Sequence, residues 1–373
     1  MVKVIVLGTG SISSIAVRCM FDRSDFEVIG VWAHEETAGD KVGTDAGLLY
    51  GDKPIGLTIS NNIDHLIQLK PDCAVIGLNP PANKANEILL PLIEKLLLAG
   101  INVVGTSLAN LVYPSSPTNQ EITPQLSEAA RKGNASLYIS GIEPGFAADH
   151  LLALVLTCSN TIKQVRTQEI FMYDTYPDEM TIKYAFGFGM PMDYEPVMSG
   201  EGTQLVSWGP PIAYIANALG YELDGYRQTY EKVITEKELH VASGTIPAGT
   251  VGAVRFETIG IVNGEDKIII EHVNRMDKDI APHWPKGPRD GTYRLVVEGD
   301  PNMSCEFFPG KNEITAGYEG MVITCMRAVN AIPYVVEAEA GVLDSMTLPL
   351  TLPKESFRSD RTEPDMKGYG DNT

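Results

Sequence analysis

The amino-acid sequence predicts an α/β protein: an N-terminal domain with a parallel sheet between helices, then a second α/β domain built on a mixed or antiparallel sheet. Three observations carry that reading. Short β-branched runs alternate with helical segments up to about residue 147, and longer polar–apolar alternations follow. A helical stretch at 317–338 then resumes the character of the first part, so the chain is expected to return there. The expected domains are residues 1–147 with 317–373, and residues 148–316. At 373 residues the chain exceeds the ~100–200 residues of one domain.

Taken in order, the first-domain strands are expected at Lys3–Leu7, Phe26–Ala33, Cys73–Leu78, Asn102–Thr106 and Ser136–Ile139, several of them apolar throughout, as strands covered on both faces are. Between them, Glu87–Ala99 places Ile88, Leu89, Leu92, Ile93, Leu96 and Leu97 on one helical face and stops at Gly100. Pro91 is expected near its first turn or at a kink. A helix over Ala147–Cys158 opens the second domain, with strands at Gln164–Met172, Val251–Ile261, Lys267–Asn274 and Thr292–Glu298. Residues 177–239, rich in Tyr, Gly, Met and Pro, read as an insertion with a helix at Pro211–Leu219. Pro333 is expected to split the last helical stretch, and a polar tail to begin near Pro353.

Charge narrows the partners. With 29 Lys+Arg against 48 Asp+Glu, the net charge of -19 repels phosphate backbones and anionic lipid, so neither nucleic acid nor a membrane is an expected partner. No apolar stretch approaches the ~18 residues of a membrane span. The 5 cysteines form no C-x-x-C pair, which fits reduced thiols and a cytoplasmic protein. No H-x-x-x-H or carboxylate cluster supports a metal.

Gly8-Thr9-Gly10-Ser11-Ile12-Ser13 follows a strand and opens a helix, the Rossmann context in which backbone amides and the helix dipole hold a dinucleotide pyrophosphate. Ser13 replaces the third glycine of that motif. The second strand ends at Trp32-Ala33-His34-Glu35-Glu36, where Glu35 either accepts from the adenosine ribose or belongs to a solvated acidic loop. A ribose role gives NAD(P) binding with NAD weakly preferred, since no Arg stands nearby to take a 2′-phosphate. Leu78, Asn79, Pro80, Thr106 and Ser107 lie at later strand ends, where they fit either cofactor approach or plain strand-ending turns.

Together Gly8-Thr9-Gly10, Asp45-Ala46-Gly47, Tyr113-Pro114, Gly141–Phe146 and Arg327–Pro333 resemble the dihydrodipicolinate reductase-like oxidoreductases. Within them the sequence is similar to 2,4-diaminopentanoate dehydrogenase and the NAD(P)-dependent amine dehydrogenases, over about residues 3–350. The resemblance implies a Rossmann domain, a mixed α/β domain for substrate binding and dimerisation, a homodimer, and hydride exchange between nicotinamide and a carbonyl, imine or amine carbon. It also adds Asn330 to the cofactor set. A family glutamate before the Tyr-Pro turn handles a proton or water, yet Thr106–Tyr113 carries no carboxylate. Glu143 stands where the family has a pocket Asn, so it reads either as a relocated acid/base or as a structural carboxylate that caps the helix beginning near Ala147 or pairs with an Arg.

The remaining candidates are Asn110, as holder of a water, and Tyr173 and His150 as catalytic groups. His150 reads more readily as a core or capping residue, and His283-Trp284 as a closing loop or a packed anchor. Tyr173, Tyr176, Tyr184, Phe186, Phe188 and Met190 would line an apolar pocket or a dimer interface. An ammonia-independent ketone or aldehyde reductase on the same scaffold, or a dinucleotide-binding sensor, are the alternatives.

Overall fold

The structure is a computed structural model that describes the chain except for Asp22, residues 36–38, Asp52, residues 81–83, Pro177, residues 312–314, Glu355 and residues 358–373. Glu36, Pro81 and most of the expected polar tail lie outside the described residues. Met1–Gly145 with the chain from Met321 forms one compact unit, and Phe146–Gly320 forms a second.

The first unit begins with strands β1 (Val2–Leu7), β2 (Phe26–Trp32), β3 (Ile59–Ser60), β4 (Cys73–Ile76), β5 (Asn102–Gly105) and β6 (Leu137–Ile139), and helices α1 (Ser11–Phe21), α2 (Ile63–Gln68), α3 (Ala85–Leu98) and α4 (Thr123–Gly133). The second unit carries α5 (His150–Leu156), β7 (Thr161–Met172), α6 (Leu205–Ala218), β8 (Gly225–Ile234), a hairpin of β9 (Leu239–Val241) and β10 (Gly244–Ile246), β11 (Val251–Val262), β12 (Glu265–Arg275), β13 (Gly291–Asp300) and β14 (Met303–Phe307). Helix α7 (Ala316–Val329) crosses back, and α8 (Ile332–Glu337) leads to β15 (Val342–Leu343).

The first sheet is parallel throughout, in the order β15-β6-β5-β4-β1-β2-β3. Its order reverses between β1 and β4, the switch point beside which open α/β sheets bind ligands at the strands' carboxyl ends. Leu89, Leu92, Ile93, Leu96 and Leu97 of α3 are buried, as their spacing predicts. Pro91 sits in the middle of α3, one turn deeper than expected, because burial of that face outweighs one missing ladder bond. Helix α4 was not anticipated; it packs so closely on α3 that a Cβ on Gly133 would lie 1.7 Å from Leu97 O.

The second sheet is mixed, β14-β13-β7-β12-β11-β8, with β7 and β12 parallel at its centre. One rung crosses all six strands on one face: Tyr230, Phe256, His272, Glu169, Tyr293 and Phe307. Helix α6 covers this face with Trp208, 5.0 Å from Phe256 and 4.6 Å from His272 between ring centres. The helix starts six residues before the expected Pro211 and keeps Pro210 and Pro211 inside it. Burial of every residue from Trp208 to Ala216 compensates the two lost ladder bonds.

Other boundaries differ in instructive ways. Residues 146–149 form turns, and α5 starts only at His150 behind the Asp149 cap. Strand β8 lies inside the expected insertion, because its pattern of partly exposed residues hides the alternation. The last helices separate at Asn330–Ala331, and Pro333 lies in the first turn of α8, where its missing N–H costs nothing.

The opposite face of the second sheet is ionic. Glu271, 1% exposed in its side chain, is 2.6 Å from Arg166 and 2.7 Å from Arg255, and accepts from Gln168 at 2.8 Å. Burial works against its charge, but the Gln168 amide and the two guanidiniums hold its carboxyl below the usual range. Such a group stabilises the fold above the ordinary carboxylate pKa, and the contribution fades as pH falls through its lowered value. Glu271→Gln should therefore destabilise the protein by about 3 kcal/mol at neutral pH. It should also flatten the acid limb of a stability–pH curve measured by urea unfolding.

Candidate cofactor and catalytic site

The glycine turn stands at the carboxyl end of β1. Gly8 has φ +117°, and a Cβ there would meet Ser13 Oγ at 2.6 Å and Gly77 O at 3.2 Å. Ser13 thus replaces the third glycine without blocking the packing: its buried hydroxyl donates to Leu7 O at 3.3 Å, and Gly77 at the end of β4 leaves it room. Gly10 and Ser11 are exposed, and a Cβ on Gly10 would meet nothing within 4 Å. The amides of the first turn of α1 have no acceptor within the helix. An open backbone at a helix N-terminus fits a dinucleotide pyrophosphate.

The expected ribose loop is tied to this turn, since Gly8 N donates to Trp32 O at 2.8 Å. His34 packs edge-on against Trp32, with 5.6 Å between ring centres, while Glu35 is exposed. Asp45, in the Asp45-Ala46-Gly47 motif, is a clamp: its carboxylate accepts from the amides of Gly47 at 2.8 Å, Ile55 at 2.9 Å and Gly56 at 2.8 Å. The Ile55 amide above all, with those of Gly47 and Gly56, holds its carboxyl below the usual range.

At the neighbouring strand ends the small residues have mixed duties. Gly105 lets β5 approach β4, where a Cβ would fall 2.4 Å from Ile76 O. Ser107 is buried and donates to Leu78 O at 2.6 Å, so its hydroxyl is spent on joining these strand ends. Thr106, Leu78 and Pro80 are half-buried there, and Asn79 is exposed.

Asn330 accepts from Arg23 at 2.8 Å, and Arg23 follows the last turn of α1. That bond commits its side-chain oxygen to tying the end of α7 to the α1–β2 connection.

The four catalytic candidates divide between the units. In the first, Glu143 lies in the turn after β6, at the same edge of the sheet as the glycine turn. Gly145 closes that turn with φ +118°, Ser140 donates to its carbonyl at 3.1 Å, and Arg327 braces it at 3.2 Å. The Glu143 side chain is partly buried. Asn110 is committed to structure: it donates to Asn119 Oδ1 at 2.8 Å, and Asn119 returns a bond to its carbonyl at 2.7 Å. In the second unit, His150 is buried at the start of α5.

Tyr173 donates to Glu169 at 2.8 Å. Sequence reasoning missed Glu169, which also accepts from Tyr293 and Asn274, both at 3.3 Å, and stands 3.5 Å from His272. Burial opposes its charge, but His272, Tyr173 and Asn274 leave its carboxyl below the usual range. Only the alternation of β7 and β12 hinted that Glu169 and His272 point inward. The aromatic group also divides: Phe186 and Phe188 are core, whereas Tyr176 and Tyr184 are exposed. Trp284 is 4% exposed beside Arg275, a packed anchor, and His283 is exposed.

A dinucleotide-type turn on a parallel sheet, joined in one chain to a mixed-sheet unit, defines the class of two-domain NAD(P)-dependent dehydrogenases. The family model for the 2,4-diaminopentanoate dehydrogenase C-terminal domain matches residues 146–361. An amine dehydrogenase of Streptomyces virginiae is 34% identical over 354 residues, 94% of this chain and 97% of that protein. The 2,4-diaminopentanoate dehydrogenase of Acetoanaerobium sticklandii is 22% identical over 350 residues, 94% of each chain. In structure, the amine dehydrogenase of Mycobacterium smegmatis superposes with a TM-score of 0.75 at 20% identity, covering 95% of this chain and 97% of that one. The chain belongs to the family of 2,4-diaminopentanoate and amine dehydrogenases, and is an NAD(P)-dependent oxidoreductase. Among the described residues no helix is long and apolar enough to cross a membrane, and no cluster is arranged to hold a metal ion.

Gly10→Val tests the turn directly. The added side chain meets open space in the protein but occupies the approach to the first-turn amides. NADH affinity by titration calorimetry should fall at least about tenfold, a loss of ~1.4 kcal/mol, with an unchanged melting temperature.

Proposed function

We propose that the protein interconverts a small, largely apolar ketone plus ammonia with the corresponding amine, using NADH in preference to NADPH. The observation that carries this reading is the likeness to an amine dehydrogenase along nearly the whole chain. The bound nicotinamide supplies or accepts a hydride. The chain's own part is to hold the dinucleotide at Gly8–Ile12, with Glu35 turned toward the ribose, and to move a proton at the reacting nitrogen or oxygen. Glu143 is the residue proposed for the proton, being a carboxylate in the turn after β6, on the edge of the sheet that carries the glycine turn. The Tyr- and Phe-rich run over residues 173–190 of the sequence supports an apolar substrate. The protein is further proposed to act as a cytoplasmic homodimer, and its acidity argues against nucleic acid as a partner.

An ammonia-independent ketone reductase is the second reading, favoured by the lack of a carboxylate in Thr106–Tyr113. A screen of carbonyls with NADH separates the two. Turnover should require ammonia, and kcat/KM should favour NADH over NADPH. Equal rates without ammonia would establish the reductase instead.

Glu143→Gln preserves size and polarity but removes the ionisable proton. A general acid/base contributes ~10²–10⁴-fold, so kcat should fall by at least about a hundredfold while NADH affinity holds. A capping role would instead lower the melting temperature and leave turnover within about threefold of the parent, short of any acid/base loss.

A further inference from the structure

We propose that Lys41 is a specificity-determining residue of the cofactor site, a cation that receives the 2′-phosphate of NADPH and thereby moderates the preference for NADH. The proposal rests on the dinucleotide reading of the glycine turn. Its starting point is the connection from β2 to β3, where a Rossmann protein distinguishes a ribose hydroxyl from a ribose phosphate. That connection carries no Arg, but the fold brings a lysine back onto the turn. Lys41 Nζ lies 3.1 Å from the carbonyl oxygen of Thr9, between the two glycines.

The placement is built rather than incidental. Thr44 holds the Lys41 carbonyl through its hydroxyl at 2.6 Å and its amide at 3.1 Å. Thr44 is itself pinned to β3 by the bond from Ile59 N to its carbonyl at 2.9 Å, and Gly43 N donates to Ile59 O at 2.9 Å. Asp45 then clamps the segment as far as Gly56 through three backbone amides. The result is a concavity of about 210 Å³ lined by Thr9, Asp40, Lys41, Thr44, Leu48 and Leu49.

In a chain of net charge -19, no carboxylate among the described residues comes within 4.0 Å of the Lys41 ammonium, although Asp40 lines the same concavity. Its bond to a neutral carbonyl leaves ammonium protons and a full charge for an anion. A phosphate dianion satisfies both, and the strength of such charge-assisted bonds exceeds that of neutral ones. Glu35, exposed at the end of β2, opposes the same phosphate. The two side chains of opposite sign therefore set the discrimination between them.

Titration calorimetry of the full-length protein with NADH and with NADPH, in the absence of substrate, tests this. Lys41→Gln should weaken NADPH at least about fivefold and change NADH by less than twofold, and Lys41→Arg should keep NADPH affinity near the parent's. The Lys41 effect on NADPH should shrink as salt rises, because the contact is ionic and near solvent. Equal losses for both cofactors would overturn the assignment by placing Lys41 at the pyrophosphate, and no change for either would overturn it outright. Failure of the glycine-turn reading itself is distinguishable, since the parent would then bind neither dinucleotide.

Discussion

The close packing of Gly8, Ser13 and Gly77 is the constraint on which the first unit depends. Each glycine sits where a Cβ would fall 2.6 Å from the Ser13 hydroxyl oxygen, so β1, α1 and β4 meet with no room for a further carbon. That contact fixes the direction in which α1 leaves the sheet. It therefore aims the free first-turn amides past the exposed Gly10, where a phosphate can reach them. The β2–β3 connection meets the same turn at Lys41, whose ammonium donates to Thr9 O at 3.1 Å, and Asp45 closes the segment beyond it.

The second unit is organised by a different tension. Its six-stranded sheet has ionisable groups on both faces, and each face solves their burial separately. On one face Glu271 is met by two arginines and a glutamine; on the other Glu169 is met by two tyrosines, an asparagine and a histidine. The second solution places a hydrogen-bonded phenol, Tyr173, at the margin of an aromatic group that includes Phe186, Phe188 and Phe256. That arrangement orients Tyr173, whose proton is committed to Glu169.

The proton chemistry proposed for this chain falls on the turn after β6. Asn110 and Asn119 close their own loop by bonds in both directions. Glu143 stands in a turn that Gly145 closes at positive φ and Arg327 braces.

The sequence by itself determined the parallel unit, the glycine turn and the long strands of the second sheet, because each is written as a local period or a local turn: apolar strand runs, the 3.6-residue face of α3, Gly-x-Gly between strand and helix. Tertiary structure alone decided the rest. Pro210 and Pro211 argue locally against a helix, yet α6 forms through them because it buries its length against β11 and β12, more than 30 residues further on. Asn330 reads as a ligand residue until Arg23, distant in sequence, claims it. Glu169 and His272 become partners only when β7 and β12 pair in register. Lys41 reaches the turn through a long irregular connection. Such contacts depend on the register of strands and the closure of loops, which no window of neighbouring residues encodes.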